Sequence, residues 1–371
     1  MQSTPSAKFH GGGEYAKFVF KELINRGYIF DVAIDSGREL DSEIHKIIDE
    51  SLKGKLYRIN FKKEIYDLAS NNNYDIFYTA HPYDYDDYSG SAQFVGVIHG
   101  LRTIELPWDK YKYKFYSSLV KRIIAKVIGE IPLFIKYWRD KHICKVKKIL
   151  EIPNSRFITV SYHSKFSILN FFPFLSSEQI SVYYSPFSIL KGNRKNSCEK
   201  YFLMISGNRY EKNVWRAAIA FDKLFSDQKL NDFKVVIVGS GCKSIWKNLK
   251  NKERFDLKGY LSYEDLGNLY ANAFGFVYPS LNEGFGYPPL YAMGLGVPVI
   301  ASSATSIPEV CGEAASYFSP FSIDDLCSRI LRLEQCEDYR QYLIKVGYKR
   351  VNELLSKQSE SLEQMMREIF N

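Results

Sequence analysis

What this sequence lacks narrows it first. Its six cysteines, at 144, 198, 242, 311, 327 and 336, form no Cys-x-x-Cys pair. That spacing argues against a zinc site or a disulfide framework and fits a reducing, cytoplasmic compartment. No apolar stretch reaches the roughly 18 to 20 residues that span a bilayer. The nearest, 127–135, is broken by Glu130 and Pro132. The start, Met1-Gln2-Ser3-Thr4-Pro5, has neither the basic nor the apolar part of a secretory leader. Glycine follows no triplet period, which excludes a collagen-like fibre. There is no internal repeat and no long low-complexity tract. The apolar share, 46%, is too high for a disordered chain. A length of 371 residues suits two domains better than one.

The charge is concentrated. The net +8 hides a segment, 110–150, with twelve Lys or Arg and only Glu130 and Asp140 as acids. That segment is +10, so the rest of the chain is −2. Tyr116, Leu119, Val120, Ile123, Ile124, Val127, Ile128 and Ile131 recur at helical spacing, with Lys121, Arg122 and Lys126 between them. Pro132 ends or kinks this helix. A second stretch carries Ile135, Trp138, Val146, Ile149 and Leu150 among Lys145, Lys147 and Lys148. Two readings stand side by side: docking on an anionic membrane surface, or a core-facing helix with solvated lysines. A nucleic-acid footprint would be wider, so no nucleic-acid partner is expected.

Short β-branched runs alternate with helical patterns. Strands are expected at 30–35, 75–80, 94–99, 157–162 and 180–184, then at 202–206, 234–238, 255–259, 275–278 and 297–301. Helices are expected at 212–225 and 263–273, the latter opened by Ser262 with Asp265 three residues on. The alternation implies an α/β protein with two doubly wound, Rossmann-like parallel-sheet domains facing a cleft. The polar stretch 191–200 reads as a linker. The expected division is 1–190, a linker at 191–200, 201–350, and a C-terminal helix at 351–371 able to cross back to the first domain. The Gly11-Gly12-Gly13 run lacks the usual apolar strand before it, so the first strand is weak or missing.

The chemistry concentrates in Tyr278-Pro-Ser-Leu-Asn-Glu283-Gly-Phe-Gly-Tyr-Pro-Pro-Leu-Tyr291. A strand ends, and an acid sits on a glycine-rich turn that opens a helix. Glycine lets the backbone approach a ligand, free N–H groups at a helix start favour phosphate, and an acid accepts hydrogen bonds from sugar hydroxyls. Asp84-Tyr85-Asp86, an acid pair of the kind that can hold a divalent cation, is read as a solvated loop. Gly239-Ser-Gly241 hints at dinucleotide binding but lacks the third glycine.

The 278–291 stretch resembles the donor-site signature of retaining glycosyltransferases of family 4, with the GT-B fold. The likeness extends, in order, over Ile205-Ser-Gly-Asn208-Arg209-Tyr-Glu-Lys212-Asn213, Val236-Ile-Val-Gly239, Leu257-Lys-Gly259-Tyr260 and Ala301-Ser-Ser-Ala-Thr-Ser-Ile-Pro308-Glu309. Gly11-Gly12-Gly13-Glu14-Tyr15-Ala16-Lys17 is similar to the family's first glycine loop, and Phe94-Val-Gly-Val-Ile-His99-Gly-Leu-Arg102 to its strand ending in a sugar-side His.

The resemblance implies that Glu283, Arg209, Lys212 and His99 carry catalysis. Gly12, Gly13, Asn208, Tyr260, Gly284, Phe285, Gly286 and Tyr291 would bind the donor. It implies metal-independent transfer of a sugar from a nucleotide diphospho-sugar to a saccharide or lipid-linked acceptor, by front-face attack with retention. No cofactor beyond the donor is expected. The setting would be surface polysaccharide biosynthesis, in the cytoplasm or peripheral on the inner face of the plasma membrane. Tyr291 departs from the family, which has a second Glu there for the ribose. A tyrosine hydroxyl makes a hydrogen bond but not a charged bidentate contact. That motivates the alternative of a weakened or non-catalytic partner subunit. An NAD-dependent Rossmann enzyme is a further alternative.

Overall fold

The computed structural model describes residues 11–60, 62–106, 108–116, 118–194, 199–241 and 245–370. The expected weak first strand, before Gly11, and positions 195–198 of the expected linker lie outside these residues. In chain order the elements are α1 (Gly11–Asn25), β1 (Val32–Asp35), α2 (Ser42–Ser51), β2 (Leu56–Ile59), α3 (Lys62–Asn71), β3 (Ile76–Thr79), β4 (Gln93–Ile98), α4 (Arg102–Glu105), α5 (Leu119–Ile128), α6 (Pro132–Leu150), β5 (Ser155–Thr159), α7 (Tyr162–Phe171), β6 (Ile180–Val182), β7 (Lys200–Ile205), α8 (Val214–Ser226), β8 (Phe233–Val238), β9 (Phe255–Lys258), α9 (Tyr263–Ala271), β10 (Gly275–Tyr278), α10 (Tyr287–Gly294), β11 (Val299–Ser302), α11 (Ile307–Cys311), β12 (Ala315–Phe318), α12 (Ile323–Gln335) and α13 (Glu337–Phe370). Two compact units emerge, one of Met1–Leu101, Lys141–Phe187 and Lys357–Asn371, the other of Arg102–Asp140 and Ser188–Ser356.

The second unit is a doubly wound sheet of six parallel strands in the order β12-β11-β10-β7-β8-β9. Its central strands are near-continuous apolar runs because helices cover both faces. Phe202, Leu203 and Met204 of β7 are fully buried. Phe202 packs its ring 5.1 Å from Phe221 of α8 and 5.4 Å from Phe233 and Phe274. From β7 the chain winds outward through β8 and β9, then returns to β10 and winds the other way. The switch point lies between β7 and β10, and a crevice opens there beyond the carboxyl ends of the strands.

The first unit holds two parallel sheets, β1-β2 and β3-β4-β5-β6. A cavity of about 600 Å³ separates them. Val32, Ala33 and Ile34 of β1 line one side, and residues 76–79 of β3 the other. Val19, Phe20 and Leu23 of α1 and Ile369 and Phe370 of α13 close it. β2 was not expected from the sequence, and neither was β12.

Two expectations are corrected. The Gly11–Gly13 run is no loop but the first turn of α1, drawn into helix by the buried stripe Tyr15, Ala16, Val19, Phe20 and Leu23. The first-domain span of 1–190 also differs, because residues 102–140 group with the second unit. The reason is a buried ion pair, Arg216 Nη2 to Asp109 Oδ2 at 2.7 Å, with the Arg216 guanidinium 4.9 Å from the Tyr111 ring. Beside it the Lys112 ammonium lies 4.3, 4.9 and 5.0 Å from the rings of Trp108, Trp138 and Tyr210. Burial holds the Lys112 amine below its ordinary value.

α5 and the start of α6 do not bury their apolar faces. Leu119 is 70% exposed, Ile123 57%, Val127 55% and Leu133 80%. The packed-helix reading holds for the end of α6, where Val146, Ile149 and Leu150 are buried, and not for α5 and the start of α6. No helix among the described residues is long and apolar enough to cross a membrane.

Candidate active site

The loops after β7 and β10 meet at the switch point. β7 leads into Asn208, Arg209 and a 3-10 turn, Tyr210–Lys212; β10 leads into Ser280, Asn282 and Glu283. Lys212 Nζ lies 2.5 Å from Glu283 Oε1, with both side chains buried. Ser280 Oγ donates to the same oxygen at 2.5 Å. Lys212 also reaches the Tyr278 hydroxyl at 3.4 Å. Glu211 accepts from Arg209 Nε at 2.8 Å, and Arg209 Nη2 lies 2.6 Å from the same oxygen. Sequence reasoning missed Glu211, and also Arg102. Arg102 lies 3.4 Å from Glu211 Oε1 through Nη1 and 3.9 Å from Glu283 Oε2 through Nη2.

The electrostatics follow from burial and pairing. Burial alone would raise the Glu283 carboxyl. The Lys212 and Arg102 charges, with hydrogen bonds from Lys212 and Ser280, outweigh it and hold the carboxyl at about 2. Burial pushes the Lys212 amine below its ordinary value, opposed chiefly by Glu283. Glu211 is likewise held low, since Arg209, a backbone hydrogen bond and Arg102 overcome its burial. At neutral pH the site is therefore a lattice of paired charges.

The backbone around it is unusually constrained. Thr305 sits at φ 50°, Ser206 at 59° and Asn213 at 56°, all left-handed and none glycine. Such conformations cost on the order of 1–3 kcal/mol each and collect at functional sites. Here they are held by use: Thr305 Oγ1 accepts from the Glu283 N–H at 2.9 Å, and Asn213 Nδ2 donates to Pro279 O at 3.0 Å and Pro320 O at 2.7 Å. Ser306 Oγ donates to Glu283 O and Phe285 O, at 2.9 and 3.0 Å, which fixes the glycine-rich turn. Gly286 takes φ 108°, a value that needs glycine, and caps α10. Pro288 and Pro289 remove two N–H groups from the first turn of α10, so Gly286 and Tyr287 supply the donors at that end.

The remaining candidates of this unit sit around the same loops. Asn208 Nδ2 donates to Tyr260 OH at 3.0 Å, and Tyr260 is 63% exposed. Gly284 and the buried Phe285 follow Glu283 directly. Tyr291 stacks on Tyr287 with ring centroids 6.3 Å apart and meets Tyr270 edge-on. Tyr270 is fully buried, and its hydroxyl has no hydrogen-bond partner among the described residues.

His99 and the glycines belong to the first unit. His99 Nε2 lies 3.0 Å from Ala80 O, which can only accept, so that nitrogen carries a proton. Its ring meets Tyr15 edge-on at 5.0 Å and His81 at 5.6 Å. Gly12 lies so close that a Cβ there would be 2.6 Å from His81 Cε1. Gly13 follows in the first turn of α1. His81 carried no motif and was missed. Asp84 ends a short 3-10 turn, Pro82–Asp84, in this unit. Among the described residues no group of three or more His, Cys, Asp or Glu could hold a metal ion.

Comparison with known proteins matches this geometry to a class. Residues 187–350 match the family model described as glycosyl transferases group 1. The chain is 29% identical over 269 residues to the O-antigen chain mannosyltransferase RfbU of Salmonella typhimurium, covering 70% of this chain and 67% of that protein. Over 83 residues it is 48% identical to the O-antigen chain mannosyltransferase B of Escherichia coli, 22% of each chain. The crystal structure of Anabaena Alr3699/HepE in complex with UDP-glucose superposes with a TM-score of 0.69, at 14% identity, over 99% of this chain and 98% of that one. The fold is thus that of the two-domain GT-B type. Residues 187–350, which carry the Lys212–Glu283 pair, are similar to the glycosyl transferases of group 1.

Proposed function

We propose that this protein transfers a mannosyl group from a nucleotide diphospho-sugar to a saccharide or lipid-linked saccharide in surface polysaccharide biosynthesis, with retention of configuration. The observation that carries the reading is the buried Lys212–Glu283 pair, with Arg209 beside it, at the switch point of the family-matched domain. The sugar and the setting rest on the two O-antigen mannosyltransferases that it resembles.

Breaking the donor bond puts negative charge on the leaving diphosphate. Arg209 and Lys212 are the cations available to it, and the N-terminus of α10 adds a dipole. We therefore assign transfer without a divalent cation. Glu283, fully ionised, orients the sugar through its hydroxyls. Attack from the front face is assigned, with the leaving phosphate taking the acceptor proton, since Glu211, the other carboxylate of the site, is engaged by Arg209 and Arg102. His99 is assigned to the developing positive charge on the sugar, through the backbone carbonyl beside it. Tyr291, stacked on Tyr287, takes the ribose side of the donor.

The exposed face of α5 and early α6, rimmed by Lys121, Arg122, Lys126, Lys136 and Arg139, supports docking on an anionic membrane where lipid-linked acceptors reside.

The test is a donor panel of GDP-mannose, UDP-glucose and NAD, read by transfer or hydrolysis with the purified chain in EDTA. Turnover of GDP-mannose alone, with retained anomeric configuration, is expected. Activity only after Mn²⁺ addition overturns metal independence. No turnover of any donor by the purified chain favours a partner-subunit role.

A further inference from the structure

The donor site contains a cation to which the sequence motifs assign no role, three residues after His99. We infer that Arg102 is a third diphosphate-binding side chain, parked on Glu211 and Glu283 until the donor arrives. The inference rests on reading the site as a nucleotide diphospho-sugar site.

Three observations converge on it. Arg102 opens α4, and its two Nη atoms reach the carboxylates that organise Arg209 and Lys212, at 3.4 and 3.9 Å. Both distances exceed those of the Arg209–Glu211 and Lys212–Glu283 pairs, so Arg102 is the loosest member of the lattice. Its Nε–H is shielded from solvent and has no hydrogen-bond partner among the described residues. An orphaned N–H of this kind is costly, and a phosphate oxygen would satisfy it.

Charge count points the same way. Arg209 and Lys212 are each matched by a carboxylate, which leaves no surplus for a diphosphate. Arg102 supplies the surplus, and its planar fork suits two phosphate oxygens. Its anchorage is firm at the backbone, because Asn282 Nδ2 donates to Glu105 Oε2 at 2.6 Å and Arg216 holds Asp109. The side chain can therefore swing from carboxylate to phosphate while α4 stays in place.

Calorimetric titration with inorganic pyrophosphate tests this, using the full chain, Arg102→Gln, Arg102→Lys and Lys212→Ala. Expected are about tenfold or weaker binding in Arg102→Gln and partial recovery in Arg102→Lys, as for loss of one charge-assisted contact. GDP affinity should fall in parallel while GMP affinity changes little, a contrast that a merely structural role would not give. Pyrophosphate binding by Arg102→Gln equal to that of the parent overturns the inference. So does equal loss of GMP and GDP binding. Should Arg102→Gln fail to fold, Arg102→Lys gives the same reading, with unchanged pyrophosphate affinity and an unchanged GDP to GMP ratio counting against it. If the parent chain and Lys212→Ala bind pyrophosphate alike, the donor-site reading itself falls. If only Lys212→Ala weakens, Arg102 alone is excluded.

Discussion

The two units use the same α/β materials with different continuity. In the second, one unbroken six-stranded sheet carries Phe202, Val235, Val277 and Ile300 in a single core with α8 and α12. In the first, a two-stranded and a four-stranded sheet face each other across a cavity, and the cluster around β1 is small: Phe20, Val32, Ile34, Ile44 and Ile48. The contrast teaches where rigidity is placed. The buried charges Lys212 and Glu283 need a stiff frame, because a shift of one loop would leave either ion unpaired in a dry setting. The sheet with the continuous core supplies that frame.

The comparison is sharpest in stability. Phe202→Ala, in the centre of the second unit, should cost about 3–5 kcal/mol. Phe77→Ala, at the cavity wall of the first, should cost less, about 2 kcal/mol, since its side chain is only partly buried. Denaturant melts of each variant check this; equal costs would break the contrast.

Next in size is catalysis. Lys212→Ala or Glu283→Ala should lower transfer by about two or more orders of magnitude while the fold survives, measured by steady-state turnover and circular dichroism. Unchanged activity in both variants would remove the site assignment.

A membrane experiment separates the exposed apolar face from both cores. The triple change Leu119→Asp, Ile123→Asp, Val127→Asp should abolish co-sedimentation with anionic vesicles at low salt and leave donor hydrolysis intact. Equal sedimentation of parent and variant would exclude docking through α5.

The pH dependence is smaller. The Glu283 carboxyl sits at about 2 against an ordinary 4.5. Its contribution to stability is therefore complete above pH 4.5 and lost as pH falls toward 2. Glu283→Gln should flatten that acid limb in melts between pH 5 and 2; an unaltered limb would mean that other carboxylates dominate it.

Legibility follows the same division. β7, β8 and β10 announce themselves because strands covered on both faces are written as apolar runs, such as Phe202-Leu-Met-Ile205 and Val235-Val-Ile-Val238. β2 does not, since Leu56-Tyr-Arg-Ile59 is an edge strand with a charge in it, and β12 begins on Ala315 and Ser316. In the site, Arg209, Lys212 and Glu283 stand in ordered motifs. Glu211 and Arg102 lie within such motifs without a role assigned to them, because their part in the site arises from contacts with residues distant in the chain, Arg102 with Glu211 and Glu283. The division of the first unit into two sheets, β1-β2 and β3-β4-β5-β6, was not legible, because an apolar run does not state which strand it pairs with. The apolar periodicity of α5 was plain, but periodicity does not say whether a face is covered, and in the structure this one is exposed.

The cavity of the first unit also bears on solubility. Val32, Ala33 and Ile34 of β1 and residues 76–79 of β3 line it together with Val19, Phe20 and Leu23 of α1 and Ile369 and Phe370 of α13. Contiguous apolar surface left in the open draws copies of a protein together. Here that lining is held among the unit's own strands and helices, so this apolar surface is not offered to other copies.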